Sequence, residues 1–156
     1  MKRFSLYSYE WEHERERDGY RWRATSIGQA IGASLVGATL YELPPGEKSF
    51  PYHYEWGNEE WLLVVAGLPT LRTPEGEHEL EAGDVVCFPE GPEGAHQVLN
   101  ATEEPVRIVF LSTKRFPAVA LYPDSDKLGI WLAGEGKQDS LIVRRDSAVD
   151  YWEGED

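Results

Sequence analysis

The sequence predicts an all-β fold in which short strands form a barrel or a sandwich. The chain has 156 residues, which suits one domain with a core of its own. Its 15 glycines and 10 prolines indicate frequent turns. Turn residues recur at intervals of roughly 8–12 residues, and the segments between them are apolar or alternate in polarity, which is typical of antiparallel strands.

The first 33 residues precede this regular pattern. Aromatic and polar side chains alternate loosely through residues 5–23, which indicates an extended arm. The charged run at residues 12–17 would also suit a solvated helix. Residues 27–33 are small and rich in glycine, so they predict a loop or a short helical turn.

Strands follow from Ser34 onward, and each is bounded by turn residues. Two prolines and Gly46 end the first strand, Gly67 marks a hairpin or a bend, and the apolar run before Pro89 predicts a buried strand. The predicted strands span residues 34–43, 50–55, 60–66, 69–73, 78–81, 85–89, 96–100 and 106–112. Residues 118–122, 129–132 and 141–144 predict edge strands. The chain thus divides into an N-terminal arm (1–33), a barrel core (34–115), and C-terminal strands with a tail that pack on the barrel (116–156).

The charge of the chain limits its partners. Lys plus Arg number 15 and Asp plus Glu number 28, so the formal net charge is −13. A surface of this sign repels phosphate backbones and anionic lipids, so we expect neither nucleic acid nor a membrane as partner. The sequence has no apolar run long enough to span a membrane and no signal-peptide pattern at its start. We therefore expect a cytoplasmic protein.

The one cysteine, Cys87, excludes an internal disulfide. It lies in the apolar run at residues 85–88, which predicts that Cys87 is a small buried hydrophobe.

Two histidines and two glutamates form the most informative pattern. His53 and Glu55 lie two residues apart on a predicted strand, so their side chains point to the same face. Glu60 opens the next strand, and an antiparallel return would bring its carboxylate beside this pair. His96 opens a strand after a loop rich in Pro and Gly, so a barrel would deliver it from the opposite wall. Two imidazoles and two carboxylates make a ligand set for one divalent transition metal.

These residues belong to two ordered motifs. The first contains Gly46, Pro51, His53, Glu55, Glu60 and Gly67, and the second contains Gly83, Asp84, Pro89, Gly91, His96 and Asn100. In both motifs the chain resembles the cupin superfamily, over about residues 34–112. The resemblance implies a double-stranded β-helix barrel of the jelly-roll kind, with metal ligands that face its interior.

The chain departs from the cupin pattern at three points. Glu55 stands where the pattern usually has a second histidine, the interval from Gly46 to His53 is one residue longer, and the loop between Gly91 and His96 is enlarged. The resemblance therefore implies His53, Glu60 and His96 as metal ligands by residue type, and Glu55 by position only.

Glu55 has an alternative role. A carboxylate that does not bind the metal could instead pair with Arg72 or Arg107. If Glu55 does bind, two carboxylates cancel the charge of the ion, and an oxygen-rich site suits a divalent ion of Fe, Mn, Zn or Ni better than Cu(I). His13 and His78 lack any partner pattern and are expected at the surface.

Two functions fit these observations. The first is a metal-dependent enzyme that acts on a small molecule, since cupins of this kind include oxygenases, isomerases or epimerases, and lyases. The alternative is a non-catalytic module that binds a small, sugar-like ligand, with the metal structural or absent. The replacement of a histidine by Glu55 keeps this alternative open, whereas a storage role does not suit a short acidic chain.

Aromatic residues crowd the first motif and both ends of the chain. Tyr52, Tyr54, Trp56 and Trp61 could form an aromatic mouth that stacks on a substrate, although packing between the barrel and a dimer partner is favoured. The arm at residues 1–25 and the aromatic tail at residues 149–152 predict a homodimer in which both help to cover the outer sheet, because a lone barrel would expose them.

Overall fold

Strands dominate the structure, which is a computed structural model that describes residues 1–132 and 140–155. Over these residues the one α-helix is the short α1 (Ile27–Ile31), where a helical turn was one of the two predicted alternatives. Short 3₁₀ turns lie at Pro92–Gly94, Pro123–Ser125 and Arg145–Ser147. No helix in the described part of the chain is long and apolar enough to cross a bilayer.

Thirteen strands lie within the described residues, separated by the turns that the Gly and Pro residues predict. They are β1 (His13–Arg15), β2 (Trp22–Ser26), β3 (Val36–Leu43), β4 (Tyr54–Trp56), β5 (Glu60–Ala66), β6 (Thr70–Thr73), β7 (Gly76–Glu79), β8 (Val85–Phe88), β9 (Gln97–Leu99), β10 (Val106–Thr113), β11 (Ala118–Tyr122), β12 (Lys127–Trp131) and β13 (Ser140–Arg144).

Antiparallel pairing arranges these strands in three sheets. The orders are β1-β2-β3-β10-β5-β8, β13-β12-β11-β4 and β7-β6-β9. The longest pairing joins β3 and β10 in register from Val36 with Thr113 to Leu43 with Val106. Strands distant in sequence thus lie side by side, and the architecture is the double-stranded β-helix barrel that the two motifs imply. The predicted fold class is confirmed.

The hydrophobic core joins the six-stranded sheet to the three-stranded sheet. Strand alternation explains its membership, because in β5 Leu62 and Val64 are buried while Trp61, the residue before Leu62, is exposed. The core cluster consists of Leu43, Leu62, Leu71, Phe88, Val98, Val106, Ile108 and Phe110. The space between the six-stranded and four-stranded sheets is left as a cavity, and this cavity contains the candidate site.

The N-terminal segment packs on the barrel. β1 and β2 extend the six-stranded sheet beyond β3, so the charged run at residues 12–17 contains a strand and not the alternative helix. Arg107 on β10 donates a hydrogen bond to the hydroxyl of Tyr9 at 3.4 Å. Along this segment the ring of Tyr9 contacts the rings of both Phe4 and Trp11. As a result, β1 reaches the rim of the cavity.

The C-terminal strands correct one prediction. β11 pairs with β4 on one side and with β12 on the other, and β12 in turn pairs with β13. Of these three C-terminal strands only β13 lies at an edge of the described sheet, whose other edge is β4, so the prediction of edge strands at residues 118–122 and 129–132 is wrong. The physical reason is that β4 supplies the partner for β11, a pairing between segments far apart in sequence.

Cys87 also corrects a prediction, because it is exposed. In β8 the side chains of Val85 and Cys87 point outward, and Phe88 is buried. The four residues are all apolar, so their sequence does not reveal the alternation. The predictions that Cys87 is buried and that this strand is buried throughout are therefore wrong.

Candidate metal centre

His53 and His96 face each other in adjacent chain segments. The two residues exchange backbone hydrogen bonds in an isolated antiparallel bridge, with N···O distances of 3.2 and 2.8 Å. Their ring centroids are 4.8 Å apart. His96 therefore reaches the site as the direct neighbour of His53, and the expectation that it comes from the opposite wall is wrong. Both histidines lie just before the strands β4 and β9.

Backbone carbonyls fix the tautomer of both imidazoles. Nδ1 of His53 lies 2.9 Å from the carbonyl oxygen of Pro51, and Nδ1 of His96 lies 2.9 Å from that of Gly94. A carbonyl oxygen can only accept, so each Nδ1 carries the proton. Each Nε2 is left with a free lone pair, which is the state that binds a metal.

Glu60 completes a group of three potential ligands. Its Oε2 lies 3.5 Å from Nε2 of His96 and 3.9 Å from Nε2 of His53. The potential ligand atoms of these three residues all lie within 4.8 Å of one another. Glu60 is the first residue of β5, and pairing of β5 with β10 on one side and β8 on the other fixes its position within the six-stranded sheet.

Burial keeps all three side chains uncharged in the absence of a metal at neutral pH. It lowers the pKa of His53, and burial together with nearby His53 lowers the pKa of His96 to about 3. Burial and the neighbouring Glu55 raise the pKa of Glu60 to about 8. The contacts between Glu60 and the imidazoles are therefore not ion pairs.

The donor set fits a divalent cation. His96 Nε2 is buried and has no hydrogen-bond partner among residues 1–132 and 140–155. A buried lone pair without a partner is costly, and it is satisfied when it ligates a cation. Two neutral imidazoles and one carboxylate on one side of a cavity suit Fe²⁺, Mn²⁺, Zn²⁺ or Ni²⁺ and leave coordination positions open toward the cavity.

Glu55 lines the same cavity but is not part of the group of three. It lies in β4, opposite Ala120 of β11. Burial raises the pKa of its carboxyl group, and a hydrogen bond with the side chain of Asn58 opposes that rise. Glu55 is thus a partly buried carboxyl group near the potential ligands, with a pKa above that of an ordinary glutamate.

The arginines proposed as alternative partners of Glu55 are occupied elsewhere. Arg72 donates two hydrogen bonds to Asp124, at 2.6 and 2.9 Å, and Arg107 contacts Tyr9. Among the described residues no salt bridge involves Glu55. The alternative of a structural ion pair with either arginine is wrong.

Family comparison agrees with this geometry. Residues 39–112, which include all four candidate residues, match the family model of the cupin domain. Residues 39–112 form a cupin domain. A comparison with curated protein sequences returned no significant match.

Solved structures extend the similarity over most of the chain. A sugar phosphate isomerase of the cupin superfamily from Silicibacter pomeroyi is 29% identical, with a TM-score of 0.79 and coverage of 94% of both chains. A putative sugar phosphate isomerase from Acidithiobacillus ferrooxidans is 24% identical, with a TM-score of 0.78 over 88% of this chain and 86% of that one. The polyketide cyclase RemF from Streptomyces resistomycificus is 21% identical, with a TM-score of 0.61 over 76% and 83% of the two chains. The last two similarities establish the fold alone.

Two aromatic rings hold the histidines of the cupin domain in place. The ring of Phe88 stacks on His96 with centroids 3.8 Å apart, and the ring of Tyr122 stacks on His53 at 5.7 Å. Phe88 comes from the six-stranded sheet and Tyr122 from the four-stranded sheet. Both sheets therefore fix the orientation of the imidazoles before any ligand arrives.

The cavity of the cupin domain has a volume of about 530 Å³, within the usual range for small-molecule sites. None of Tyr52, Tyr54, Trp56 and Trp61 lines it, so these residues do not form the aromatic mouth that the sequence offered as the less favoured alternative to packing. Tyr52 lies under Arg72, and Trp56 and Trp61 are nearly half exposed. The aromatic residues that line the cavity are Tyr41, Phe50, Phe110, Tyr122 and Trp131.

Sequence reasoning also missed two cations at this cavity, Arg15 and Lys127. Part of the cavity wall could have been found from the sequence, since Thr39 and Tyr41 on β3 lie two residues apart and share a face. No comparable signal exists for Arg15, because its position depends on how the N-terminal segment folds back. His13 and His78 are exposed, as predicted.

Proposed function

We propose that this protein is a metal-dependent isomerase acting on a small polyhydroxy carbonyl compound. The observation that carries the proposal is the convergence of His53 Nε2, His96 Nε2 and Glu60 Oε2 at one side of a cavity that also contains the protonatable Glu55. His53, Glu60 and His96 would hold one divalent ion of Fe, Mn, Zn or Ni.

Glu55 takes a different role in this proposal from the fourth ligand that its motif position implies. It lies outside the compact group of ligand atoms but within the same cavity. A carboxyl group with a raised pKa is suited to general acid–base chemistry, because the rise brings its pKa closer to neutral pH. We infer that Glu55 carries a proton between two adjacent carbon atoms of the substrate.

The reaction needs no external oxidant or reductant. The bound ion would act as a Lewis acid that polarises the substrate's carbonyl group. Glu55, as the carboxylate, removes the proton from the carbon beside the carbonyl and returns it to the former carbonyl carbon. The hydroxyl proton passes to the original carbonyl oxygen, and the product is the isomeric hydroxy carbonyl compound. The neutral phenol of Tyr41, whose pKa burial raises to about 12, can donate a hydrogen bond within the cavity.

The cavity and the comparisons support this class of substrate. A volume of about 530 Å³ accommodates a sugar-sized molecule. Hydroxyl groups of Thr39, Tyr41 and Ser112 lie among aromatic faces in the cavity wall, which is a suitable surface for a polyol. The protein from Silicibacter pomeroyi that is 29% identical over nearly the whole chain is a sugar phosphate isomerase.

Metal content and turnover test the proposal together. Untagged protein purified without added metal should contain about one equivalent of a divalent transition metal, and it should interconvert at least one aldose–ketose pair in a panel of trioses, pentoses and hexoses with and without phosphate. Removal of the metal should abolish turnover, and its return should restore turnover.

Glu55→Gln separates the two roles of Glu55, with Glu59→Gln as the matched control, since Glu59 is an exposed carboxylate in the same motif. We expect Glu55→Gln to keep the metal and lower kcat by about 100-fold or more. Loss of the metal in Glu55→Gln would instead identify Glu55 as a ligand. Metal binding with ligand binding but no turnover of any panel member would contradict the isomerase and favour the binding module.

A further inference from the structure

Two cations lie at one end of the candidate cavity in a protein of net charge −13. Arg15 is the last residue of β1, and Lys127 is the first residue of β12. The two residues come from different sheets, and both line the cavity that contains His53, Glu60 and His96. We refer to Arg15 and Lys127 as the cation pair.

No carboxylate neutralises the cation pair within the described ranges, 1–132 and 140–155. Arg15 lies over the ring of Trp22 at 5.2 Å, and Lys127 lies over the ring of Tyr122 at 5.3 Å. Aromatic faces position a cation while its N–H groups remain free to donate. By contrast, Arg21, Arg23, Arg72 and Arg145 each form an ion pair with a carboxylate.

The cation pair stands apart from the carboxylates of the site. No ion pair within the described ranges joins Arg15 or Lys127 to Glu55 or Glu60, and Glu60 instead contacts His53 and His96. The two cations therefore do not serve to neutralise the acids, and the cavity has an acidic end and a basic end.

The cation pair also lines a second, adjoining cavity of about 490 Å³. Both cavities share Arg15 and Lys127, and the second adds a further cation, Arg17. The one acid in its wall is Asp124, which is paired with Arg72. Ser49 and Ser125 supply hydroxyl groups there. The junction of the two cavities is thus a basic, hydroxyl-lined site in an otherwise acidic protein.

We propose that Arg15 and Lys127 bind the phosphate group of a phosphorylated sugar whose carbonyl end lies at His53, Glu60 and His96, an inference that rests on the proposed function. Guanidinium and ammonium groups are the side chains that bind phosphate most strongly, the former through paired N–H donors. The second cavity gives room for the phosphate and its hydration, while the first holds the sugar. The cation pair then selects phosphorylated over free sugars.

Calorimetric titration tests the selectivity of the cation pair. The probes are triose, pentose and hexose phosphates, the corresponding free sugars, and inorganic phosphate, added to zinc-loaded protein. Arg15→Gln and Lys127→Gln each remove one charge from the junction. Arg3→Gln is the matched control, because Arg3 is exposed and lines neither cavity.

At least one sugar phosphate should bind wild-type protein roughly tenfold or more tightly than its free sugar, as expected for charged hydrogen bonds. Arg15→Gln and Lys127→Gln should each lose about tenfold in affinity for that sugar phosphate, keep their affinity for the free sugar, and retain the metal, while Arg3→Gln matches wild type. Equal affinities for phosphorylated and free sugars in wild-type protein, or variants that match Arg3→Gln, would overturn the proposal.

The metal-free protein separates this inference from the proposed function. Inorganic phosphate should still bind to the cation pair of the metal-free protein. It should bind more weakly to Arg15→Gln and Lys127→Gln than to Arg3→Gln. Failure of the isomerase proposal appears as absence of metal or turnover, whereas failure of the phosphate site appears as phosphate affinity that is insensitive to both substitutions.

Discussion

The imidazole of His96 lies parallel to the phenyl ring of Phe88, with ring centroids 3.8 Å apart and an angle of 7° between the planes. The same imidazole is held at Nδ1 by the carbonyl oxygen of Gly94. One stacked face and one hydrogen bond leave His96 little rotational freedom, so Nε2 is aimed at Glu60. Neighbours that orient a metal ligand contribute to affinity without touching the ion.

Phe88→Leu should therefore weaken metal binding although it removes no ligand. We expect metal affinity to fall by about 10–100-fold, measured by competition with a chelator. The substitution keeps most of the buried volume and should cost about 1 kcal/mol of stability. Leu43→Ala, which truncates a core residue that does not line the cavity, should cost more stability but leave metal affinity unchanged. Equal metal affinity in Phe88→Leu and wild type would contradict this role.

The stability of the metal-free protein should fall as pH rises from 6.5 to 8. Glu60 has a pKa of about 8 in the native protein, above the 4.5 of the unfolded chain. The stability that it contributes is therefore fully present below pH 4.5 and is lost progressively as pH rises from 4.5 through 8. His96 has a native pKa of about 3 against 6.5 unfolded, so the stability linked to it is full above pH 6.5 and is lost toward pH 3. Above pH 6.5 the effect of Glu60 therefore prevails.

Urea denaturation of chelator-treated protein at pH 6.5 and pH 8 measures this dependence. Glu60→Gln should flatten it, because a neutral amide has no proton to lose. Glu59→Gln, which alters an exposed carboxylate next to Glu60, should retain the wild-type dependence. The same slope in Glu60→Gln and wild type would show that another group is responsible.

Asn100 should be essential to the stability of the barrel and not to catalysis. Its fully buried amide donates to the carbonyl oxygens of Leu43 and Glu104 and accepts from the backbone N–H and the hydroxyl of Thr102. Asn100→Ala leaves several buried polar groups unpaired and should cost about 2 kcal/mol or more of unfolding free energy.

Thr102→Ala is the control for Asn100, because it removes hydroxyl contacts but leaves the backbone groups satisfied. Urea titration should rank Asn100→Ala well below Thr102→Ala in stability. The role assigned to Asn100 fails if the two variants lose the same stability.

The aromatic tail should support a homodimer. Tyr151 and Trp152 contact each other but are 83% and 70% exposed, and Trp61 and Val85 on the outer face of the six-stranded sheet are also exposed. Exposed apolar surface of this kind favours self-association. Light scattering at micromolar concentration should give twice the 17.7 kDa of one chain. The double substitution Tyr151→Ser and Trp152→Ser should weaken the dimer, and a wild-type monomer would contradict the prediction.

Local sequence determined the fold class and three residues of the candidate centre. His53, Glu60 and His96 lie in motifs whose turns and strand alternation are properties of short segments, and the structure brings these three together. Alternation likewise predicts that His53 and Glu55 share a face, and Glu55 does line the cavity. Such inferences succeed because side-chain direction along a strand depends on neighbouring residues alone.

Only the tertiary structure decided which partners surround these residues. The bridge between His53 and His96, the pairing of β4 with β11, and the return of β1 to the cavity join segments far apart in sequence. These pairings place Glu55 outside the ligand group and bring Arg15 and Lys127 to one cavity. The sequence could not reveal them, because strand pairing depends on the burial of whole sheets, whereas periodicity records only which side of its own strand a residue occupies.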